Sequence, residues 1–414
     1  MKMFWIDDVY PVALANIFSE DGNISGLSLP YHALKARIDA SYINYYATGW
    51  CRALENIGYE TENVVMSAAP LQKQWLEEYG GDRGDLSLEE ILLLQIKKYH
   101  PKVVFVSDCC NAKFVQCIKR EVPSVKLIIG WAGSAVAKDP ARKQLWKILD
   151  IILCCAPESV LALRQEGANA VHMNHAFPRE VIPSLHRREN KHTTISFVGS
   201  LVRGKDYHLA REQLLLSLAD ALPLKIYSPS AYISKRHLLK SALNIGFYNI
   251  IRLFPHWVKE DILSPLPIMG RICKRKEHPH FPINFDLYRK LTPPVFGGEM
   301  FEVLFNSDIV LNIHADSSPE YASNMRLYEA TGVGSCLLTD SKKNMKDLFT
   351  PEKEVVIYDS ISDCIEKATW LMQHPEERER IAKAGKRRCL QDHTYDNRAV
   401  EFDKIIRKVG QCLP

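Results

Sequence analysis

The sequence predicts an α/β protein made of two consecutive doubly wound units that face a central cleft. Three observations carry that expectation. Short, continuous apolar runs, of the kind buried on both faces of a parallel sheet, recur between helix-like segments. The rhythm stops at a polar, basic stretch, residues 184–193, and then restarts. At 414 residues the chain also exceeds what one ordinary core accommodates. In such sheets ligands sit at the carboxyl ends of the strands. The turns at those ends are therefore where site residues are sought.

In the first unit, residues 1–190, a strand is expected at 3–6 and a helix at 42–57, closed by Gly58 as a C-cap. A second helix spans 88–99, with Ser87 as N-cap and Glu89 and Glu90 in its first turn, where the helix dipole favours acids. Pro101 stops it, and strands follow at 103–107, 125–129 and 151–155, with helices at 114–120 and 141–149 between them. The second unit, residues 191–390, opens with a strand at 195–198, a helix from about 207 to 221 and a strand at 224–227. Strands at 309–313, 335–338 and 354–358 alternate with helices at 326–331, 345–349 and 361–373. No internal repeat is present, which excludes solenoids.

Residues 231–298 interrupt the second unit. Between 231 and 280 nine Lys and Arg stand against three acids, and residues 245–257 interleave bulky apolar side chains with these cations. The segment reads either as a helical insertion packed on the second unit or as a basic amphipathic element lying on an anionic leaflet. The latter gives peripheral membrane association through 231–280.

Composition bounds the rest. The chain is 46% hydrophobic and 25% charged, as soluble globular proteins are, and its net charge of +4 is too small to imply nucleic acid. Eleven cysteines include the adjacent pairs Cys109-Cys110 and Cys154-Cys155, with neither CxxC spacing nor a disulfide framework. They read as buried free thiols in a reducing compartment. The first eight residues reach acid after four apolar positions, unlike a signal peptide, and no run approaches the roughly 20 apolar residues of a membrane span. A cytoplasmic location follows, with the inner membrane face open to the basic insertion.

The most informative segment is 323–339. A polar loop leads into a short helix opening on Asn324 and Met325, and glycines then break it before a buried strand. Arg326 and Glu329, three apart, project from nearly one helix face. A guanidinium fork suits phosphate oxygens, and a carboxylate accepts hydrogen bonds from ribose hydroxyls. At a helix start, the pair can hold a nucleoside diphosphate; it also reads as an ordinary surface pair. In the turn after strand 195–198, Gly199 and Ser200 would let phosphate approach the backbone, with Arg203 or Lys205 to neutralise it. The GxxxxGK spacing there lacks the Ser or Thr that holds magnesium, Asp206 standing in its place, and no GxGxxG follows any predicted strand. His314 shares a face with Asn312 by strand alternation and is a further ligand candidate or a satisfied core histidine. No HExxH and no Asp-x-Asp occurs, so no metal site is expected and a diphosphate would be met by Arg, Lys and helix ends.

Over residues 301–403 the chain resembles the C-terminal half of GT-B glycosyltransferases of the CgeB (spore-maturation-like) group, relatives of glycosyltransferase family 4. The resemblance rests on Leu311-Asn-Ile-His314, Asn324-Met-Arg-Leu-Tyr-Glu329 with Gly332 and Gly334, Leu338-Thr-Asp340, Glu354-Val-Val-Ile-Tyr358, Pro375-Glu-Glu-Arg-Glu-Arg-Ile-Ala382 and His393-Thr-Tyr-Asp-Asn-Arg398. It implies a GT-B fold and transfer of a sugar, with retention and without a metal, from a nucleotide-diphosphate sugar to a glycan or lipid-linked acceptor. No cofactor is implied, the nucleotide sugar being the donor substrate, and polysaccharide biosynthesis is the implied setting. Glu329 takes the place of the second glutamate of the family's Glu-x7-Glu signature, the ribose ligand. Tyr321 stands where the first would be, with Glu320 one step out of register. Arg326 and Asp108 are the catalytic candidates, Asp108 at the end of a first-unit strand where it would meet the acceptor or cap the strand. Tyr45, Tyr46 and Trp131 offer aromatic surface for the acceptor. In relatives the closing helix, here within 391–414, crosses back onto the first unit. Two rivals share the architecture or the site: a non-hydrolysing sugar-nucleotide epimerase, and a non-catalytic sugar-nucleotide or glycan-binding protein.

Overall fold

The computed structural model describes residues 1–19, 29–81, 84–107, 109–133, 139–187, 192–202, 208–275 and 278–410. Among them lie two parallel six-stranded sheets. The first holds β1 (Lys2–Asp7), β2 (Glu60–Val65), β3 (Val103–Val106), β4 (Leu127–Ala132), β5 (Ile151–Cys154) and β6 (Ala170–His172), in spatial order β2-β1-β3-β4-β5-β6. The second holds β7 (Thr193–Val198), β8 (Leu224–Tyr227), β9 (Leu291–Thr292), β10 (Ser307–Asn312), β11 (Cys336–Asp340) and β12 (Val356–Tyr358), in order β12-β11-β10-β7-β8-β9. Each sheet reverses its winding once, between β1 and β3 and between β7 and β10. Those two switch points are where crevices open in doubly wound folds.

The expected inner strands and most helices are present, and the differences have physical reasons. β2, Glu-Thr-Glu-Asn-Val-Val, is an edge strand whose first four residues are exposed or half-buried, so it carries no apolar run. β6 and β9 are edges of three and two residues. The helix expected at 42–57 begins at Tyr45, because Tyr42 adopts a positive φ of 56°. The helix Leu88–Tyr99 carries a complete capping box between Ser87 and Glu90.

Each sheet buries side chains on both faces. Against one face of the first, Trp5 stacks on Phe105 with ring centroids 3.6 Å apart. The same cluster takes Tyr395, Ala399, Phe402 and Ile406 from the closing helix, Tyr395–Gly410. That helix is further tied to the first lobe by the Tyr59 hydroxyl, which donates to Asp403 over 2.6 Å. The chain therefore passes between lobes twice, and the passages touch. The Phe177 N–H donates to the His393 carbonyl (2.8 Å), and buried Arg398 donates to the His175 carbonyl (3.3 Å) and His393 Nδ1 (2.9 Å). The insertion does not pack down as a unit, since its helix Lys235–Leu253 buries only Tyr248 and Ile251.

Candidate active site

A cavity of about 570 Å³ lies between the lobes at both switch points. The first lobe contributes Asp7 and Asp8 after β1, Ser107 after β3, Trp131 of β4 and His175 beyond β6; the second contributes Val198 and Gly199 at β7 and Asn312 and Ile313 at β10. Strand ends thus aim short turns into the gap from both sides. Another cavity, about 530 Å³, sits inside the first lobe against Phe4 and Val64, within strands rather than at their ends. Its position gives it no claim on the chemistry of the switch points.

Glu329 lines the interlobe cavity yet is only 1% exposed. Its Oε2 lies 2.6 Å from Arg326 Nη1, and its Oε1 accepts from the Tyr45 hydroxyl of the first lobe. Burial, and then the Glu329 charge, push the Tyr45 hydroxyl well above its usual range, so it keeps its proton and donates. Arg326 Nη1 also lies 3.2 Å from Met300 Sδ, and its Nε is buried without a hydrogen-bond partner. A desolvated carboxylate and guanidinium thus share one short helix, Arg326–Val333. Asn324 does not open that helix: Met325 precedes it without a side-chain cap. The Asn324 amide instead donates to Asn312 Oδ1 and the Ile313 carbonyl, both at 2.9 Å, fastening the loop to the end of β10.

A second cation, Arg211, lines the same cavity and was not singled out from the sequence. Its guanidinium donates to the Ser200 carbonyl (2.8 Å) and the Ile313 carbonyl (2.6 Å), bridging the turns after β7 and β10. Burial brings it down to about 10, with Asp340 and Asp316 opposing, so it stays a cation at neutral pH. A signal was available: Arg211 falls in the first turn of the helix Leu209–Ala221, where the dipole disfavours positive charge. The adjacent glycines Gly297 and Gly298 were also passed over. Gly297 has φ of 53° and a Cβ there would lie 2.3 Å from the Ser41 carbonyl, while the Gly298 N–H donates to that same carbonyl over 2.9 Å. The lobes can approach this closely only because no side chain intervenes.

Comparisons with known proteins agree with this architecture. Residues 260–404 match the family model described as glycosyl transferase-like. No curated protein matches by sequence. Sucrose-phosphate synthase from Thermosynechococcus elongatus superposes with a TM-score of 0.55 at 10% identity, covering 100% of both chains. A glycosyltransferase from Rickettsia africae gives 0.51 at 10% identity over 99% of this chain and 98% of its own. Anabaena HepE in complex with UDP and glucose gives 0.50 at 9% identity over 99% and 100%. The fold is GT-B. Together the matched domain and the fold support a glycosyltransferase.

The GT-B cleft does not gather every residue expected from the sequence. Gly199 lines it, with its N–H donated to the Tyr227 carbonyl (3.0 Å). Ser200 sets its hydroxyl 3.3 Å from that of Tyr10, across the lobes. Asp108, Arg203 and Lys205 lie outside the described residues. His314 is not on the cavity wall, because β10 ends at Asn312 and strand alternation ends with it. Its side chain is fully buried, with Nδ1 2.6 Å from Asp340 Oδ1. Burial works to raise the Asp340 carboxyl, but His314 and Lys342 beside it bring it down to about 2. Tyr45, expected as stacking surface, lines the cleft as well, with its hydroxyl engaged by Glu329. Tyr46 and Trp131 do line the cleft, beside a histidine the sequence did not flag. His175 packs 4.9 Å from Trp131, and burial, then the Arg398 charge, bring it down to about 3, so the imidazole is neutral. Nothing in its local sequence marked it.

Proposed function

We propose that this protein transfers a sugar from a nucleoside-diphosphate sugar, held by the second lobe, to an acceptor that enters against the first. The observation that carries the reading is Glu329: a nearly fully buried carboxylate, paired with Arg326, lining the one gap that both switch points share. In this reading Glu329 accepts from the donor's ribose hydroxyls. Arg326 and Arg211 offset the charge that builds on the departing diphosphate, as preorganised cations do in a water-poor site. Gly199 lets the diphosphate close on the backbone, and Arg203 and Lys205, close by in the sequence, stay candidates for neutralising it. The acceptor meets Asp7, Asp8, Trp131 and neutral His175. Asp108 stays a candidate for the same side.

Retention without a metal ion belongs to the proposal. Metal independence is supported by the absence of Asp-x-Asp from the sequence and by two arginines on the cavity wall, and retention by the family resemblance alone. A place in the spore-maturation-like group is likewise proposed, on the segment Asn324–Glu329. The test is a thermal-shift panel of UDP, GDP, ADP, TDP and CMP with their sugars. One nucleotide diphosphate is expected to raise Tm in the wild type and to lose that effect in Glu329→Ala, since stabilisation follows occupancy. Indifference of the wild type to the whole panel would sink the proposal. Product formation that needs an acceptor separates transfer from epimerisation.

A further inference from the structure

The described residues of 231–280 line no part of the cleft, yet their surface is unlike the rest of the molecule. Of 21 large apolar side chains exposed among the described residues, nine fall between Leu239 and Leu266. On the helix Lys235–Leu253, Leu239, Leu243, Phe247, Ile250 and Leu253 recur at three- and four-residue spacing and so share one face. Leu239 is 61% exposed, Leu253 85% and Trp257, just beyond the helix, 61%. Tyr248 and Ile251, the buried residues, lie on the other side. At about 1.5 Å per residue the stripe from Leu239 to Leu253 is about 21 Å long.

Charge says what covers it. The helix contains no Asp or Glu and carries Lys235, Arg236, Lys240 and Arg252. Lys235 and Arg236 occupy its first turn, against the helix dipole, where an external anion relieves the repulsion. A second copy packed through this helix would supply no carboxylate from the helix itself to meet these cations. A protein groove would need its own acidic rim, whereas an anionic leaflet supplies negative headgroups above an apolar interior, with the depth of about 5–10 Å that such helices reach. None of the described helices is long and apolar enough to cross a membrane, so the arrangement is one of lying on the surface. The insertion leaves the sheet at the end of β8, where the Tyr227 carbonyl accepts the N–H of cavity-lining Gly199. It is rooted at the cleft end of the second lobe.

We propose that the helix Lys235–Leu253 seats the second lobe on an anionic phospholipid leaflet, Leu239, Leu243, Ile250 and Leu253 among the acyl chains and Lys235, Arg236 and Lys240 against the headgroups. The inference concerns the surface alone and holds whatever the cleft catalyses. The full-length chain is sedimented with vesicles of phosphatidylcholine, with and without phosphatidylglycerol. It is expected to pellet with the mixed vesicles and to be released by high salt. Reversing the three cations (Lys235→Glu, Arg236→Glu, Lys240→Glu) weakens binding by at least about fivefold per charge. Leu243→Glu with Ile250→Glu abolishes it, while Tm stays at the wild-type value because both side chains are exposed. Equal binding to neutral vesicles, no binding at all, or undiminished binding by either variant overturns the proposal. So does light scattering that shows a dimer which Leu243→Glu with Ile250→Glu dissociates. Should a variant fail to fold, the lipid and salt dependence of the wild type decides alone.

Discussion

Tyr45 holds the carboxylate that the proposed donor needs, so removing its hydroxyl is expected to tighten donor binding. In the free protein Tyr45 donates to Glu329 Oε1 across the lobes, while Arg326 holds Oε2 at 2.6 Å. With Glu329 only 1% exposed, a ribose hydroxyl reaching Oε1 competes with the phenol for it. A hydrogen bond to a charged acceptor is worth about 1.5–3 kcal/mol. Tyr45→Phe removes that competition and keeps the ring, which packs edge-on against Phe301 at 5.0 Å. Global stability should fall by about 1.5–3 kcal/mol in urea melts. The Kd of the stabilising nucleotide diphosphate should fall by about 10- to 150-fold in titration calorimetry. In a Glu329→Gln background the second substitution should change affinity much less, because the two act through one contact. Unchanged or weaker nucleotide binding by Tyr45→Phe would refute the competition and make the phenol a donor contact in its own right.

Two other predictions follow from the site and its surroundings. Arg211→Met should weaken a nucleoside diphosphate by about 10- to 100-fold while leaving the bare nucleoside nearly unaffected; equal losses in calorimetry would mean that Arg211 only braces the turns at Ser200 and Ile313. Acid should destabilise the protein well before its carboxylates titrate. His175 and His393 are brought down to about 3 and about 4, chiefly by burial, from an ordinary value near 6.5. Between those limits the unfolded chain binds protons that the folded chain refuses, so stability rises with pH and, for the pair, falls by about 1.4 kcal/mol from pH 7 to 6 and by about 2.4 kcal/mol from pH 6 to 5. Urea melts at pH 7, 6 and 5 should show that slope, and His175→Gln with His393→Gln should flatten it; an unaltered slope in the double variant counts against the cause.

What the sequence disclosed and what it withheld divide along physical lines. Inner strands such as Val103–Val106 and Ile151–Cys154 are legible because a strand covered on both faces must be apolar throughout. Edge strands are not, since β2 presents glutamates and an asparagine to solvent and β9 has two residues. Arg326 and Glu329 are legible as a pair because helix geometry fixes their relation within three residues. Tyr45, 284 residues away from Glu329, is not, because only the meeting of the lobes joins them. Arg211 left a trace in its position at a helix start. His314, open in the sequence as ligand candidate or core histidine, is a buried one, the alternation having been carried two residues past the end of β10. The resemblance to GT-B enzymes reached the second lobe through its motifs, while the first lobe was legible only as architecture.

The closing helix changes what counts as a part of this molecule. Phe402 and Ile406 fill the same core as Trp5, Trp50 and Phe105, although the whole second sheet separates them along the chain. A fragment ending near residue 190 would expose that aromatic cluster to water and lack a wall. Anyone exchanging lobes between relatives must therefore cut at two places, near residue 190 and near residue 393, and carry the tail with the amino-terminal half. Recombination that respects only the linker would yield two incomplete bodies.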